Sequence, residues 1–307
     1  MKNVALLGFG KMGKKFYQRS ILSKKIYIDK ILKKKLIKNK KIKFFNDINK
    51  LVKNKKIQGY IVATPVQNHF RHIKSIIKTN KPIIIEKPLV AKLTELKKLY
   101  NLLKNYKKSI FVNHKDLYNP AFIKFSKQIK NIGYYSKINI FFGKYQKIKI
   151  YNKKFTFLPS FDWLPHPISI AIKLNGVPNK IKIIQNDVFI KNKNIFQNSK
   201  IIFLYDKAII QINFSNRYKT PKRRVVINGT KSTIIYDGSQ KNMLTKKIKN
   251  SKTKKIKYYQ IDPLDYLINK FYFSMKNKFY NNDIHLSYNV MKILFEIEKK
   301  MKIKLNL

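Results

Sequence analysis

The 307-residue chain carries 69 lysines and arginines against 14 acidic residues, a formal net charge of +55, and 44% of it is hydrophobic. Apolar residues recur along its whole length and can repay the entropy of ordering, which excludes a disordered polyelectrolyte, while the absence of cysteine excludes disulfides, thiolate nucleophiles and cysteine-ligated metals. Only five basic residues are arginine and the 64 lysines are scattered through every segment, so the charge does not outline a phosphate-reading groove, and nucleic-acid binding ranks low.

No run of about 18 apolar residues occurs, so no membrane helix is expected. The opening MKNVALLGFG reads as a buried first strand, not a secretory leader, because glycines break it and no small-residue cleavage site follows. A soluble, cytoplasmic protein of two domains is the expectation.

Residues 4–7 predict a strand and 11–20 the first helix, followed by a strand over 26–32, a short strand at Phe44 and Phe45, a helix over 48–53 and a strand over 59–63. A helix over 68–79, a strand over 82–86, an amphipathic helix over 93–105 and a strand over 109–113 complete a doubly wound parallel sheet of the Rossmann type. After Asn119-Pro120 the texture changes. A helix over 121–130 precedes strands at 138–142, 180–190, 201–203, 208–214, 224–228 and 232–236, with a helix at 167–174 between them. This half reads as an α+β domain with a mainly antiparallel open sheet. Residues 241–257, lysine-rich and poor in apolar side chains, read as an exposed mobile loop, and 262–277 and 284–300 as helices. The domains are expected at 1–117 and 118–307.

Gly8-Phe9-Gly10-Lys11-Met12-Gly13 fits G-x-G-x-x-G, and it follows an apolar strand and opens a helix. That placement aims backbone N–H groups and the helix dipole at a pyrophosphate, so a dinucleotide is the expected cofactor. An acid at the end of the second strand commonly accepts from the ribose of NAD. Asp29 lies inside the apolar run, however, and the ribose position falls on Lys33, Lys34 or Lys35, which favours NADP over NAD. The five histidines show no spacing of a metal site, and no metal is expected.

Ala63-Thr64-Pro65 with Asn68-His69, then Glu86-Lys87-Pro88-Leu89, then Asp162-Trp163-Leu164-Pro165-His166 follow GFGKMG in this order. Together they resemble the Gfo/Idh/MocA family of oxidoreductases over essentially the whole chain. The resemblance implies hydride transfer between a nicotinamide and a sugar, sugar derivative or cyclic polyol, in a dimer or tetramer. It implies a catalytic Lys87 beside the nicotinamide, His166 as proton acceptor and Asp162 as its orienting partner. The cofactor is expected on residues 8–13, Lys33, Thr64, Pro65, His69, Glu86 and Lys87, and substrate on Lys87, Asn119, Trp163 and His166. Histidine's ordinary pKa suits proton exchange at neutral pH, and a lysine supplies positive charge where alkoxide character develops. The chain departs from the family in having Pro159-Ser160-Phe161 and Leu164 where glycines are common. Two other readings stay open: a dinucleotide-binding protein without turnover, and a lysine-rich nucleic-acid binder.

Overall fold

The computed structural model describes residues 1–33, 42–149, 157–248 and 251–301. In chain order its elements are β1 (Lys2–Leu7), α1 (Lys11–Ser23), β2 (Ile26–Leu32), β3 (Lys43–Phe45), α2 (Ile48–Val52), β4 (Gly59–Val62), α3 (His69–Ile76), β5 (Ile83–Ile85), α4 (Leu93–Leu103) and β6 (Ile110–Val112). There follow α5 (Pro120–Gln128), β7 (Lys137–Gly143), β8 (Ile148–Lys149), α6 (Pro159–Trp163), α7 (Pro165–Asn175), β9 (Lys180–Lys191), β10 (Asn194–Leu204), β11 (Ile209–Ser215), β12 (Lys222–Asn228), β13 (Ser232–Asp237), β14 (Leu244–Ile248), β15 (Lys254–Lys255), α8 (Pro263–Ser274) and α9 (Ile284–Met301). They form two compact units, Met1–Tyr118 with Ile261–Met291, and Asn119–Gln260 with Lys292–Leu307.

In the first unit six strands pair in the order β3-β2-β1-β4-β5-β6, all parallel. Every residue of β4, β5 and β6 is buried. Continuous runs such as Ile83-Ile84-Ile85 are what a parallel sheet covered on both faces requires. The order reverses between β1 and β4, and the crevice beyond the carboxyl ends of those two strands is where such sheets take ligands.

Residues 261–291, read from chain order as part of the second domain, belong to the first unit. Leu264, Leu267, Ile268 and Phe271 recur at helical spacing along α8 and join Val4, Leu6, Phe16 and Phe111 in one buried cluster. Asp262 caps this helix, accepting from the Leu264 amide at 2.8 Å. Arg19 of α1 donates to Asp265 and Asp262 at 2.9 and 3.2 Å. Gly59 opens β4 because the Phe271 ring lies over it: a Cβ there would stand 2.6 Å from that ring.

In the second unit the order is β15-β14-β13-β12-β7-β11-β10-β8, with β9 also on β10. Only β7 and β11 pair in parallel among the described strands. The β9–β10 hairpin turns through Asn192 and Lys193, both at positive φ (50° and 57°), as a two-residue turn matched to strand twist needs. The strand expected at 201–203 begins at Asn194. Its polar start hides it from a hydropathy reading, yet Gln197 is buried because its side chain donates to Asn186 and Ser199 and accepts from the Ser160 amide at 3.0 Å, while its backbone amide donates to Asn216 Oδ1 at 2.7 Å. The expected loop at 241–257 contains β14 and β15. Leu244 is buried opposite Tyr236, while Lys246 and Lys247 cover the outer part of the strand. Among the described residues no helix is long and apolar enough to cross a membrane.

Removing the Phe271 ring should cost about 3–5 kcal/mol, the usual loss for a large buried aromatic cut to alanine. Arg19→Ala, which breaks a one-third exposed ion pair, should cost about 1 kcal/mol or less. Urea unfolding of the two variants checks the ranking; a mild Phe271→Ala would remove α8 from the core of the first unit.

Candidate active site

The turn after β1 is built by three glycines with different tasks. Gly8 sits at φ +97°, and a Cβ there would lie 2.5 Å from the Ala63 carbonyl oxygen. A Cβ on Gly13 would lie 2.1 Å from the Gly8 carbonyl oxygen. Backbone contact therefore demands both. Gly10, the N-cap of α1, has φ −79° and ψ −162°, extended backbone open to any residue, and a Cβ there meets no heavy atom within 4 Å. Neither conformation nor internal packing asks for glycine at this place. The helix it opens has no side-chain cap and no acid in its first turn, and its first backbone bond runs from Lys14 to Gly10. The amides of Lys11, Met12 and Gly13 precede that bond and face out of the helix mouth. Lys11 is exposed and Met12 half-buried. Phe9 turns inward, edge-on to Tyr17 and Phe44.

Strand β2 ends beside this turn, since Leu32 accepts from the Gly8 amide at 3.0 Å. Lys33 follows directly, its amide held by Phe45 at 2.7 Å and its side chain half-buried. Asp29 lies in the strand four residues before Lys33 and contacts Lys30 at 2.6 Å. Lys34 and Lys35 lie outside the described residues.

The ends of β4, β5 and β6 carry the other polar groups of this unit. Ala63 donates to Leu7 at 2.7 Å, and the half-buried Thr64 and exposed Pro65 continue from it. His69, expected to touch the cofactor, has protein partners on both ring nitrogens. It is 1% exposed, with Nε2 2.9 Å from the Thr64 carbonyl and Nδ1 3.0 Å from the Pro88 carbonyl. It braces the loop after β4 against the loop after β5. Burial lowers its pKa more than the carbonyls raise it, so the ring is neutral and has one proton for two acceptors. His72 Nδ1 lies 3.1 Å from the Thr64 hydroxyl.

Glu86 is buried, with its amide on Val62 and its Oε1 accepting from Asn113 Nδ2 at 2.6 Å. Lys87 is half-buried beside it, joined to Pro88 by a cis peptide bond. Asn113 escaped the sequence reading. Its signal is a polar residue ending an apolar strand, one strand over from Glu86.

In the second unit Pro159 and Pro165 occupy the opening positions of α6 and α7, where a missing N–H costs nothing. His166 thereby falls in the first turn of α7. It is buried, its ring stacked on Phe142 at 6.0 Å and tilted against Trp163 at 6.4 Å. Arg223 lies over both flanking rings, 5.5 Å from Phe142 and 5.7 Å from Trp163. Trp163 Nε1 donates to Gln146 at 3.1 Å, so the tryptophan is a fixed wall beside the imidazole. Asp162 is exposed, one residue before that tryptophan and four before His166. Leu164 and Phe161, positions where the resemblance implied glycines, are core residues; Phe161 stacks on Phe157 at 4.3 Å.

Asn119, expected to meet substrate, is committed to protein partners. It caps α5 by accepting from the Ala121 amide at 2.9 Å, and its Nδ2 donates to Tyr236 at 3.1 Å. Lys87 belongs to the first unit and Asp162, Trp163 and His166 to the second.

Burial, with Arg71 and His69 nearby, holds the His72 pKa down to about 4. The unfolded chain, with a histidine near pKa ~6.5, then binds more protons than the folded one between these values. The stabilisation is complete above about pH 6.5 and is lost as pH falls toward 4. Allowing for solvent screening, it amounts to about 1–2 kcal/mol. Unfolding free energies from urea titration at neutral and acid pH should therefore diverge by that much less in His72→Asn than in wild type.

Residues 2–114 match the Gfo/Idh/MocA oxidoreductase family, NAD-binding Rossmann fold. No curated protein matches the chain. Among solved structures it is similar to an NAD-binding oxidoreductase from Klebsiella pneumoniae (TM-score 0.80, 14% identity, 98% of this chain and 97% of that one). It is also similar to a UDP-N-acetylglucosamine 3-dehydrogenase from Acidithiobacillus ferrooxidans (0.77, 13%, 96% and 96%) and an oxidoreductase from Bacillus cereus (0.76, 15%, 96% and 95%). At these identities the likeness is one of fold. The first 114 residues, with the glycine turn at the head of a 3-2-1-4-5-6 sheet, are thus similar to the NAD-binding Rossmann domain of the Gfo/Idh/MocA oxidoreductase family.

Proposed function

We propose that this oxidoreductase binds NADP or NAD at the mouth of α1 and acts on a CH–OH group of a sugar, sugar derivative or cyclic polyol. The observation that carries the reading is Gly10, a glycine that the protein's own packing does not require and whose missing side chain leaves the backbone open to a ligand. The residues present fit a dinucleotide diphosphate: the amides of Lys11, Met12 and Gly13 would bind it, aided by the helix dipole. Lys33 would hold a 2′-phosphate by charge, which favours NADP. Thr64 and Pro65 would line the cofactor, and Glu86, fixed by Asn113, would set the backbone at Lys87.

The nicotinamide, when bound, supplies the hydride acceptor or donor. Lys87 would orient the reacting oxygen and stabilise negative charge on it, and His166 would take the hydroxyl proton or return it to a carbonyl. Asp162 would orient His166. Trp163 would form one wall of the substrate site. The sugar class draws support from the similarity to a UDP-N-acetylglucosamine 3-dehydrogenase. A homo-oligomer formed through the second sheet draws support from strands such as β11, where half-exposed Ile209, Gln211 and Asn213 alternate with buried residues.

Calorimetric titration with NADPH and NADH tests the cofactor. Gly10→Val should weaken binding about tenfold or more, a loss of about 1.4 kcal/mol, with little change in melting temperature. Gly8→Val and Gly13→Val should instead lower thermal stability sharply, because their side chains meet backbone. Unchanged affinity in Gly10→Val would refute the assigned diphosphate site.

Turnover of a panel of sugars, nucleotide sugars and cyclic polyols, followed by nicotinamide absorbance, tests the chemistry. Lys87→Ala and His166→Ala should each lower kcat about 100-fold or more without loss of cofactor affinity. The residual activity of His166→Ala should lose the wild-type pH dependence. Turnover that survives both substitutions would remove these residues from the mechanism.

A further inference from the structure

A cavity of about 830 Å³ opens where β4 and β5 begin, at the end of the six-stranded sheet away from Gly8. Five of its twelve lining residues are lysines: Lys53 and Lys55 after α2, Lys74 and Lys78 on and after α3, and Lys81 before β5. None of the twelve is acidic. Lysine makes up about one residue in five of the chain, so this wall holds about twice the average share.

Among the described residues, none of these five ammonium groups takes part in an ion pair, hydrogen bond or ring contact. Helices α2 and α3 both end here, and their C-terminal carbonyls attract cations. Two such helix ends supply about one negative charge at most, far short of five positive ones. The remaining repulsion is concentrated in a concave space, where fields from like charges add and raise the local concentration of anions. The floor is apolar, formed by Val52, Ile57 and the ring of Tyr60. Burial raises the Tyr60 phenol pKa, so its hydroxyl keeps its proton.

We propose that this cavity is a second ligand site, for a small anion of the oligophosphate class, taken up free or as the phosphate chain of a nucleotide. Its volume falls in the range of small-molecule pockets, roughly 300–1,000 Å³, and its concavity suits a compact ligand better than a nucleic-acid duplex. The proposal is independent of the dinucleotide site, which lies at the opposite end of the same strands.

The test is calorimetric titration of the full-length protein with sodium tripolyphosphate in excess NADPH, comparing wild type with K74Q/K78Q and K97Q/K98Q. The second pair removes the same charge from the exposed face of α4. K74Q/K78Q should weaken binding about tenfold, while K97Q/K98Q should leave it within about twofold. Bound tripolyphosphate should also slow acetylation of Lys74 and Lys78, read by mass spectrometry. ATP in the same titration identifies the source: tighter binding than tripolyphosphate, lost in K74Q/K78Q, points to a nucleotide, and weaker or equal binding to free oligophosphate. Equal losses in both double variants would reduce the effect to overall charge and overturn the proposal. So would tripolyphosphate binding indifferent to K74Q/K78Q, or duplex DNA binding that alone depends on these two lysines. Because the readout is sensitivity to Lys74 and Lys78, a protein that fails to bind NADPH still tests the cavity.

Discussion

The first unit is organised around one close approach, helix α1 meeting the carbonyl end of β1 with no side chain at Gly8 or Gly13 to hold them apart. A Cβ at either place would stand 2.1–2.5 Å from a carbonyl oxygen. Because the contact involves backbone on both sides, no rotamer change relieves it. It ties α1, β1 and the start of the loop after β4 into one rigid corner, beside which the end of β2 is held by the Gly8 amide. The polar groups that follow, from Thr64 to Glu86 and Asn113, are placed relative to this corner through main-chain bonds of the parallel sheet. Gly10 alone is left with room, and the chemistry assigned to the protein begins in that room.

Much of this was legible in the sequence because it rests on local rules. Glycines after a buried strand, strands of continuous isoleucine and valine, and Pro165 and Pro167 flanking His166 each have a narrow range of structural meanings. What escaped depended on distant partners. The apolar stripe of α8 was visible, but nothing in its own residues says which sheet it covers. Gln197 and Asn198 fell outside the strand expected at 201–203, because their hydrogen-bond partners, Asn216 and Ser215, lie elsewhere in the chain. His69 and Asn119 were read as ligand contacts, and both are occupied by neighbouring backbone or side chains.

The lysine excess also takes on different meanings once placed. On β15 the exposed Lys254 and Lys255 clothe an edge strand, where charge opposes pairing with another sheet. Lys33 stands at the end of β2, where a phosphate is expected. At the other end of the first sheet five lysines face a common space. The same side chain is thus solubilising, recognising or mutually repelling according to the curvature of the surface that carries it.

The return of residues 261–291 to the first unit bears on how the chain is made. A ribosome delivers β1 to β6 first, but the cluster around Leu6 and Phe111 lacks Leu267 and Phe271 until some 150 residues more have been translated. The nucleotide-binding half therefore waits, incompletely covered, while the intervening unit emerges and can fold from its nearly continuous stretch. Vectorial synthesis begins the first unit first and completes it last, a lag during which part of its apolar cluster stays uncovered.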